Sequence, residues 1–208
     1  MPDVTVVDHP AAAAMLARLR DEETGPEAFR DAAARLGSLL AYEATRELPS
    51  RDVVVSTPVG TAQARVPARR VVAVPVLRAG LGLLPGVHVV LPEAEVGMIG
   101  LERDEDTLEA REYYRKVPPL EGAWVLILEP MLATGGSASA AVQVFAGEGA
   151  ERITVLSVVA TERGLQRVTD DTPGTHVVTA AVDPTLDDRG FVVPGLGDFG
   201  DRVFFTPR

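Results

Sequence analysis

The chain has 208 residues, 46% of them hydrophobic, which is enough for one sizeable core. Thirty acidic against twenty basic residues leave a net charge of −10, which opposes binding to nucleic acid and to anionic membrane and confines any basic site to a local patch. The absence of cysteine excludes disulfides and thiolate chemistry, and His9, His88 and His176 are too dispersed in sequence to suggest a zinc site. The apolar runs are too short to span a bilayer. The start carries Asp3 and Asp8 and the run 11–16 has no basic lead, so no signal peptide is expected and a cytoplasmic location is.

A single domain over 1–208 is expected. Residues 11–48 read as helices, with Leu16, Leu19, Phe29, Ala33, Leu36, Leu40 and Ala44 recurring at helical spacing. Thr24-Gly25-Pro26 divides them into two, with Thr24 as the cap and Pro26 early in the second helix. Such a pair serves as scaffold or interface. Residues 53–66 read as a β-hairpin arm, with strands at 53–58 and 63–66 around Val59-Gly60-Thr61-Ala62.

The core is placed at 71–182. Its first strand, 71–77, is apolar throughout and delivers Arg78 at its mouth, where a guanidinium needs an anion or a carboxylate partner. A second apolar run, 96–101, leads into a charged, non-periodic insert, 103–116, that carries Arg103 and the adjacent Tyr113 and Tyr114. An insert of this kind is either functional or a solvated face.

The stretch 125–138 organises the rest. Val125, Leu126, Ile127 and Leu128 form a run too short for a helix and apolar enough for a strand buried on both faces. Glu129 ends it, and Pro130, with no N–H, stops the ladder. Residues 137–145 suit a helix, so Thr134-Gly135-Gly136-Ser137 lies where that helix begins, with unpaired N–H groups and the positive end of the dipole facing the crevice. The glycines admit an anion closely, and the Thr134 and Ser137 hydroxyls add donors. The same loop could be a tight turn and nothing more. It is not a Walker A loop, and no Gly-x-Gly-x-x-Gly occurs.

Further strands are expected at 153–159, ending in Thr161-Glu162-Arg163-Gly164, and at 177–182. Strands alternating with helical stretches argue for an α/β fold, a doubly wound and mostly parallel sheet flanked by helices. There Arg78, Arg103, Glu129 and Arg163 share one edge, the edge where open α/β sheets bind ligands. The tail 183–208 is rich in glycine, with Gly190, Gly195, Gly197 and Gly200 close together, and reads as a fixed irregular path or a cover on the core.

Together, Val74-Pro75-Val76-Leu77-Arg78-Ala79-Gly80-Leu81-Gly82, Arg103-Asp104-Glu105-Asp106-Thr107-Leu108, Glu112-Tyr113-Tyr114, Pro130-Met131-Leu132-Ala133-Thr134-Gly135-Gly136-Ser137-Ala138 and Val193-Pro194-Gly195-Leu196-Gly197-Asp198 resemble the motifs of uracil phosphoribosyltransferase. The resemblance covers nearly the whole chain. It implies a type I phosphoribosyltransferase fold with 183–208 as a base-binding hood, and transfer of phosphoribosyl from 5-phospho-α-D-ribose 1-diphosphate to uracil, giving UMP and diphosphate with Mg²⁺ bound to the diphosphate of the substrate. It further implies that Glu129, Pro130, Met131, Leu132, Ala133, Thr134, Gly135, Gly136 and Ser137 bind the ribose 5-phosphate, and that Arg78 and Arg103 bind the diphosphate. Val192, Gly197 and Phe199 would line the uracil, and Asp198 and Arg103 would stand at the reacting centre. A homodimer or higher homo-oligomer is implied as well. The chain departs from the family pattern at Glu129, usually aspartate, at Phe199, usually alanine, at Arg163, usually glutamate, and at Phe205, usually glycine. These four positions carry the alternative, an altered-base or ligand-sensing protein on the same fold.

Overall fold

In the computed structural model, residues 3–103 and 110–206 are described, Arg103 by its backbone alone. The chain opens with β1 (Val4–Val6) and α1 (Pro10–Arg20), whose first turn is capped by the His9 side chain accepting from the Ala11 N–H at 3.0 Å. Helix α2 (Pro26–Ala44) is capped by Gly25 and not by Thr24. Thr24 is spent one residue earlier, donating its N–H to the Asp21 carbonyl in the connecting turn, and Pro26 presets the first helical residue. The helical run therefore ends at Ala44, short of 48.

The arm is a hairpin of β2 (Ser50–Thr57) and β3 (Gly60–Pro67), in which Thr57 pairs with Gly60. The turn is thus Pro58-Val59 and not 59–62, because Pro58 fits a turn position and cannot donate to a ladder. Val54 and Val59 lie 65% and 97% exposed on this arm.

The core begins with β4 (Val71–Leu77), a 3₁₀ turn (Ala79–Gly82) and α3 (Leu84–Val90). It continues through β5 (Glu95–Val96), β6 (Met98–Arg103) and β7 (Ala110–Lys116). Then come β8 (Trp124–Leu128), β9 (Met131–Leu132), α4 (Gly136–Gly147), β10 (Arg152–Thr161), α5 (Glu162–Asp171) and β11 (His176–Asp183). The tail adds β12 (Thr185–Leu186), β13 (Val192–Val193) and α6 (Phe199–Phe204). The main sheet runs β1-β11-β10-β8-β4-β6-β7, with β5 beside β4 and β9 beside β10. Every pairing in it is parallel except β6 with β7.

Period-two alternation divides each central strand between two cores. Leu126, Leu128, Leu156 and Val178 join the core under α1, α2 and α6, while Val125, Ile127, Val155 and Val177 join the core under α4 and α5. The sheet is therefore covered on both faces, as its continuous apolar strands predict.

Two expectations are corrected here. Residues 110–116 of the polar insert form β7, an edge strand exposed on both faces, so its sequence shows no apolar alternation. The part of that insert at 104–109 lies outside the described residues. The glycine-rich tail contains a short helix, α6, where an irregular path was expected. Asp198 starts it by accepting from the Asp201 N–H at 2.9 Å.

Candidate active site

Strand order brings the carboxyl ends of β10, β8, β4 and β6 side by side. Arg78 follows β4, Glu129 follows β8, Thr161 ends β10 and the backbone of Arg103 ends β6. Arg163 lies in the first turn of α5 at the same edge.

Pro130 interrupts the ladder without ending it. Its carbonyl accepts from the Val158 N–H at 2.9 Å, the Val159 N–H at 3.1 Å and the Ser157 hydroxyl at 3.1 Å, and β9 then resumes pairing with β10. Leu132 is buried in the core, so it serves the loop through its backbone. Gly135, at φ +77°, is the N-cap of α4, and the turn ends where Gly136 and Ser137 begin the helix. A left-handed residue here fits only glycine comfortably. The turn also presses on the start of α5: a Cβ on Gly135 would stand 2.5 Å from the Gly164 carbonyl oxygen, and one on Gly164 would stand 2.4 Å from that of Leu132. The result is a tight glycine turn at a helix N-terminus, braced from behind, a geometry that can receive an anion.

Glu129 is half-buried at the end of β8, and desolvation raises its pKa to about 8 despite a hydrogen bond from the Met131 N–H. Arg78 pairs with Asp201 of α6 at 3.0 Å and lies 5.8 Å from the Phe204 ring centroid. Its partner in this structure is thus a carboxylate.

Beside the turn lies a cavity of about 210 Å³ lined by Ala79, Met131, Ala133, Gly190, Phe191, Val192, Gly197, Asp198, Phe199 and Gly200. The Phe199 side chain is buried and its ring meets that of Phe29 edge-on at 5.2 Å. Phe199 thus borders the cavity while its ring packs into the core beneath.

The hood is fastened to the N-terminal helices by arginines that sequence reasoning missed. Arg20 grips Asp183 through two bonds of 2.7 and 2.8 Å and donates to the Gly195 carbonyl at 2.8 Å, while the Gly195 N–H returns to Asp183 at 2.9 Å. Burial pushes the Asp183 carboxyl up, but Arg20 and the Gly195 N–H outweigh it and hold the group below the usual range. Arg202 stacks on Phe29 at 4.3 Å and donates to the carbonyls of Leu19, Leu196 and Asp21. Arg30 reaches the Val203 carbonyl at 3.1 Å. These partners lie more than 160 positions apart, except within the hood, and no local pattern announces them. The N-cap role of Thr161 was missed as well, although Thr161-Glu162-Arg163-Gly164 after a strand is an N-cap pattern that could have signalled it.

A glycine turn at a helix N-terminus and a small, largely apolar cavity on one edge of a parallel sheet, with an arginine at the neighbouring strand end, fit the phosphoribosyltransferase class. The fold agrees: hypoxanthine phosphoribosyltransferase from Trypanosoma cruzi superposes with a TM-score of 0.53 at 12% identity over 78% of this chain and 76% of that one. The AQ2163 protein from Aquifex aeolicus superposes with a TM-score of 0.92 at 34% identity over 97% of both chains. Uracil phosphoribosyltransferase of Thermus thermophilus is 43% identical over 98% of this chain and 99% of its own. That of Alkaliphilus oremlandii is 43% identical over 99% and 100%. The family model described as uracil phosphoribosyltransferase matches residues 6–206, and the chain belongs to that family.

Proposed function

We infer that the chain transfers phosphoribosyl from 5-phospho-α-D-ribose 1-diphosphate to N1 of uracil, forming UMP and releasing diphosphate. The observation that carries this reading is a shared wall. Met131 and Ala133 line the 210 Å³ cavity and lead directly into the turn at 134–137, so a phosphate in the turn and a flat ring in the cavity would leave the sugar between them.

In this reading the amides of 134–137 and the hydroxyls of Thr134 and Ser137 hold the 5-phosphate, and Glu129 holds the ribose hydroxyls. Arg78, released from Asp201, and Arg103 take the diphosphate. The bond from C1 to the diphosphate oxygen breaks as that to N1 forms and the N1 proton passes to the released diphosphate or to solvent, so positive charge grows on the sugar while negative charge grows on the leaving group, and the arginines stabilise the latter. Backbone groups along 192–199 present donors and acceptors to the N3–H and carbonyls of uracil. Cytosine, with those roles reversed, would leave polar groups unpaired. The Phe199 ring lies against Phe29, which leaves its backbone to face the base.

Among the described residues no three carboxylate or histidine side chains converge on a metal position. Mg²⁺ is expected as a companion of the diphosphate, where it would supply neutralisation of the leaving group, with the Asp198 carboxylate on the cavity wall. Among the described residues no helix is long and apolar enough to cross a membrane. A cytoplasmic homo-oligomer fits the family, with the exposed valines of the arm as contact residues.

A product assay tests the reading, with uracil, cytosine, hypoxanthine and xanthine offered separately. UMP from uracil alone is the expected result. Turnover of another base with none of uracil would sink it.

A further inference from the structure

We propose that Thr161 is the positioning residue of the phosphate turn, its hydroxyl fixing the peptide between Ala133 and Thr134 so that the Thr134 N–H faces the crevice. The proposal rests on the phosphoribosyl-transfer reading above and concerns how that site is held in shape.

Thr161 is 2% exposed and stands where β10 ends and α5 begins. Its Oγ1 donates to the Ala133 carbonyl at 2.6 Å and accepts from the Gly164 N–H at 3.0 Å. The direction of each bond is forced. An amide can only donate, so the hydroxyl meets Gly164 with a lone pair and has its single proton left for Ala133. In a planar trans peptide the C=O and the N–H that follows point opposite ways. Tying the Ala133 oxygen toward α5 therefore aims the Thr134 N–H away from α5, on the side where Ala133 itself lines the cavity. Were that peptide to turn over, a carbonyl oxygen would face the phosphate in place of an N–H. Two further contacts keep the turn seated on α5. The missing Cβ at Gly164 leaves room for the Ala133 oxygen, which would stand 2.7 Å from it, and Gly135 closes on the Gly164 carbonyl from the other side.

None of these atoms needs to touch substrate. The hydroxyl acts through the backbone of the turn, which separates its effect from that of Arg78 or of the hood. Loss of the bond should weaken the grip on the 5-phosphate and spare the two other ends of the site.

The test compares wild type with Thr161→Val, which keeps the shape and removes both bonds, and Thr161→Ser, which keeps the hydroxyl. Binding of ribose 5-phosphate, measured by calorimetry, should weaken about 10-fold or more in Thr161→Val, and the KM for the diphosphate substrate should rise with it. Binding of free diphosphate and the KM for uracil should stay within about 2-fold, and Thr161→Ser should return to within about 3-fold of wild type. Unchanged ribose 5-phosphate affinity in Thr161→Val, or equal weakening of all three ligands, overturns the proposal. Should Thr161→Val fail to fold, the amide resonance of Thr134 in the wild type is followed as ribose 5-phosphate is added; a large shift supports the proposal and an unmoved resonance overturns it. A wild type that forms no UMP and binds no ribose 5-phosphate overturns the function itself, and this proposal with it.

Discussion

Glu129 shows how one residue can carry a tension between stability and use. Its carboxyl has a pKa of about 8 in the folded chain, against 4.5 ordinarily, because burial disfavours the charge. The folded state therefore binds this proton more tightly than the unfolded state, and between those two values stability falls as pH rises, by at most about 1.4 kcal/mol per pH unit. Denaturant midpoints taken from pH 5 to pH 8 should decline in wild type, and Glu129→Gln should flatten that decline. A slope that survives in the glutamine variant would assign it to other groups. Arg78 is the second such residue. Its pair with Asp201 leaves the arginine side chain 54% exposed, so the pair contributes little to stability and costs little to break. Arg78→Ala should lower kcat/KM for the diphosphate substrate about 10²–10³-fold with the melting temperature nearly unmoved. Phe205 is the third: at φ +53° and 74% exposed, it holds a left-handed conformation with no burial to offset it. Phe205→Gly should raise unfolding free energy by roughly 1 kcal/mol, read from urea midpoints.

Among the elements, the hood depends on its fastening. Asp183 is nearly buried against Arg20, so removing either partner strands the other's charge, at a cost of about 3–5 kcal/mol for a fully buried pair and less here, where Arg20 reaches solvent. Arg20→Met should raise the KM for uracil far more than that for the diphosphate substrate, because 183–197 forms one wall of the cavity and no part of the phosphate turn. Equal rises would mean that the two subsites are not separately held. Since the Asp183 carboxyl is held below its ordinary value, its contribution is intact above about pH 4 and is lost only on stronger acidification. Elements differed in how plainly the sequence announced them, for physical reasons. Strands β4, β8, β10 and β11 are buried on both faces and read directly as apolar runs. The turn at 134–137 read as a helix start because its glycines and hydroxyls have a local job. Strand β7 was hidden, since an edge strand wet on both faces has no reason to alternate. Helix α6 was hidden by its six residues and by the glycine beside its cap. The arginine clasps were hidden because their partners are distant in sequence, and an arginine looks the same whether it awaits a phosphate or a backbone carbonyl.

At the scale of the whole molecule, an overall charge of −10 opposes the approach of a polyanion, so on the proposed reading the attraction has to come from local groups such as Arg78 and the helix end at short range. The arm raises a second question of scale. A two-stranded ribbon that leaves Val54 and Val59 in water is poorly supported by one chain alone. Sedimentation should find an oligomer in wild type that Val54→Lys with Val59→Lys shifts toward monomer; an unshifted oligomer would place the contact elsewhere. One arrangement reaches further. Because Arg20, Arg30 and Arg202 stitch α1 and α2 to the segment from 183 to 203, the cavity wall in that segment is held by helices more than 160 positions away in sequence. On the proposed reading, a lesion in α1 or α2 would therefore reach the acceptor base through these arginines and leave the turn at 134–137 untouched.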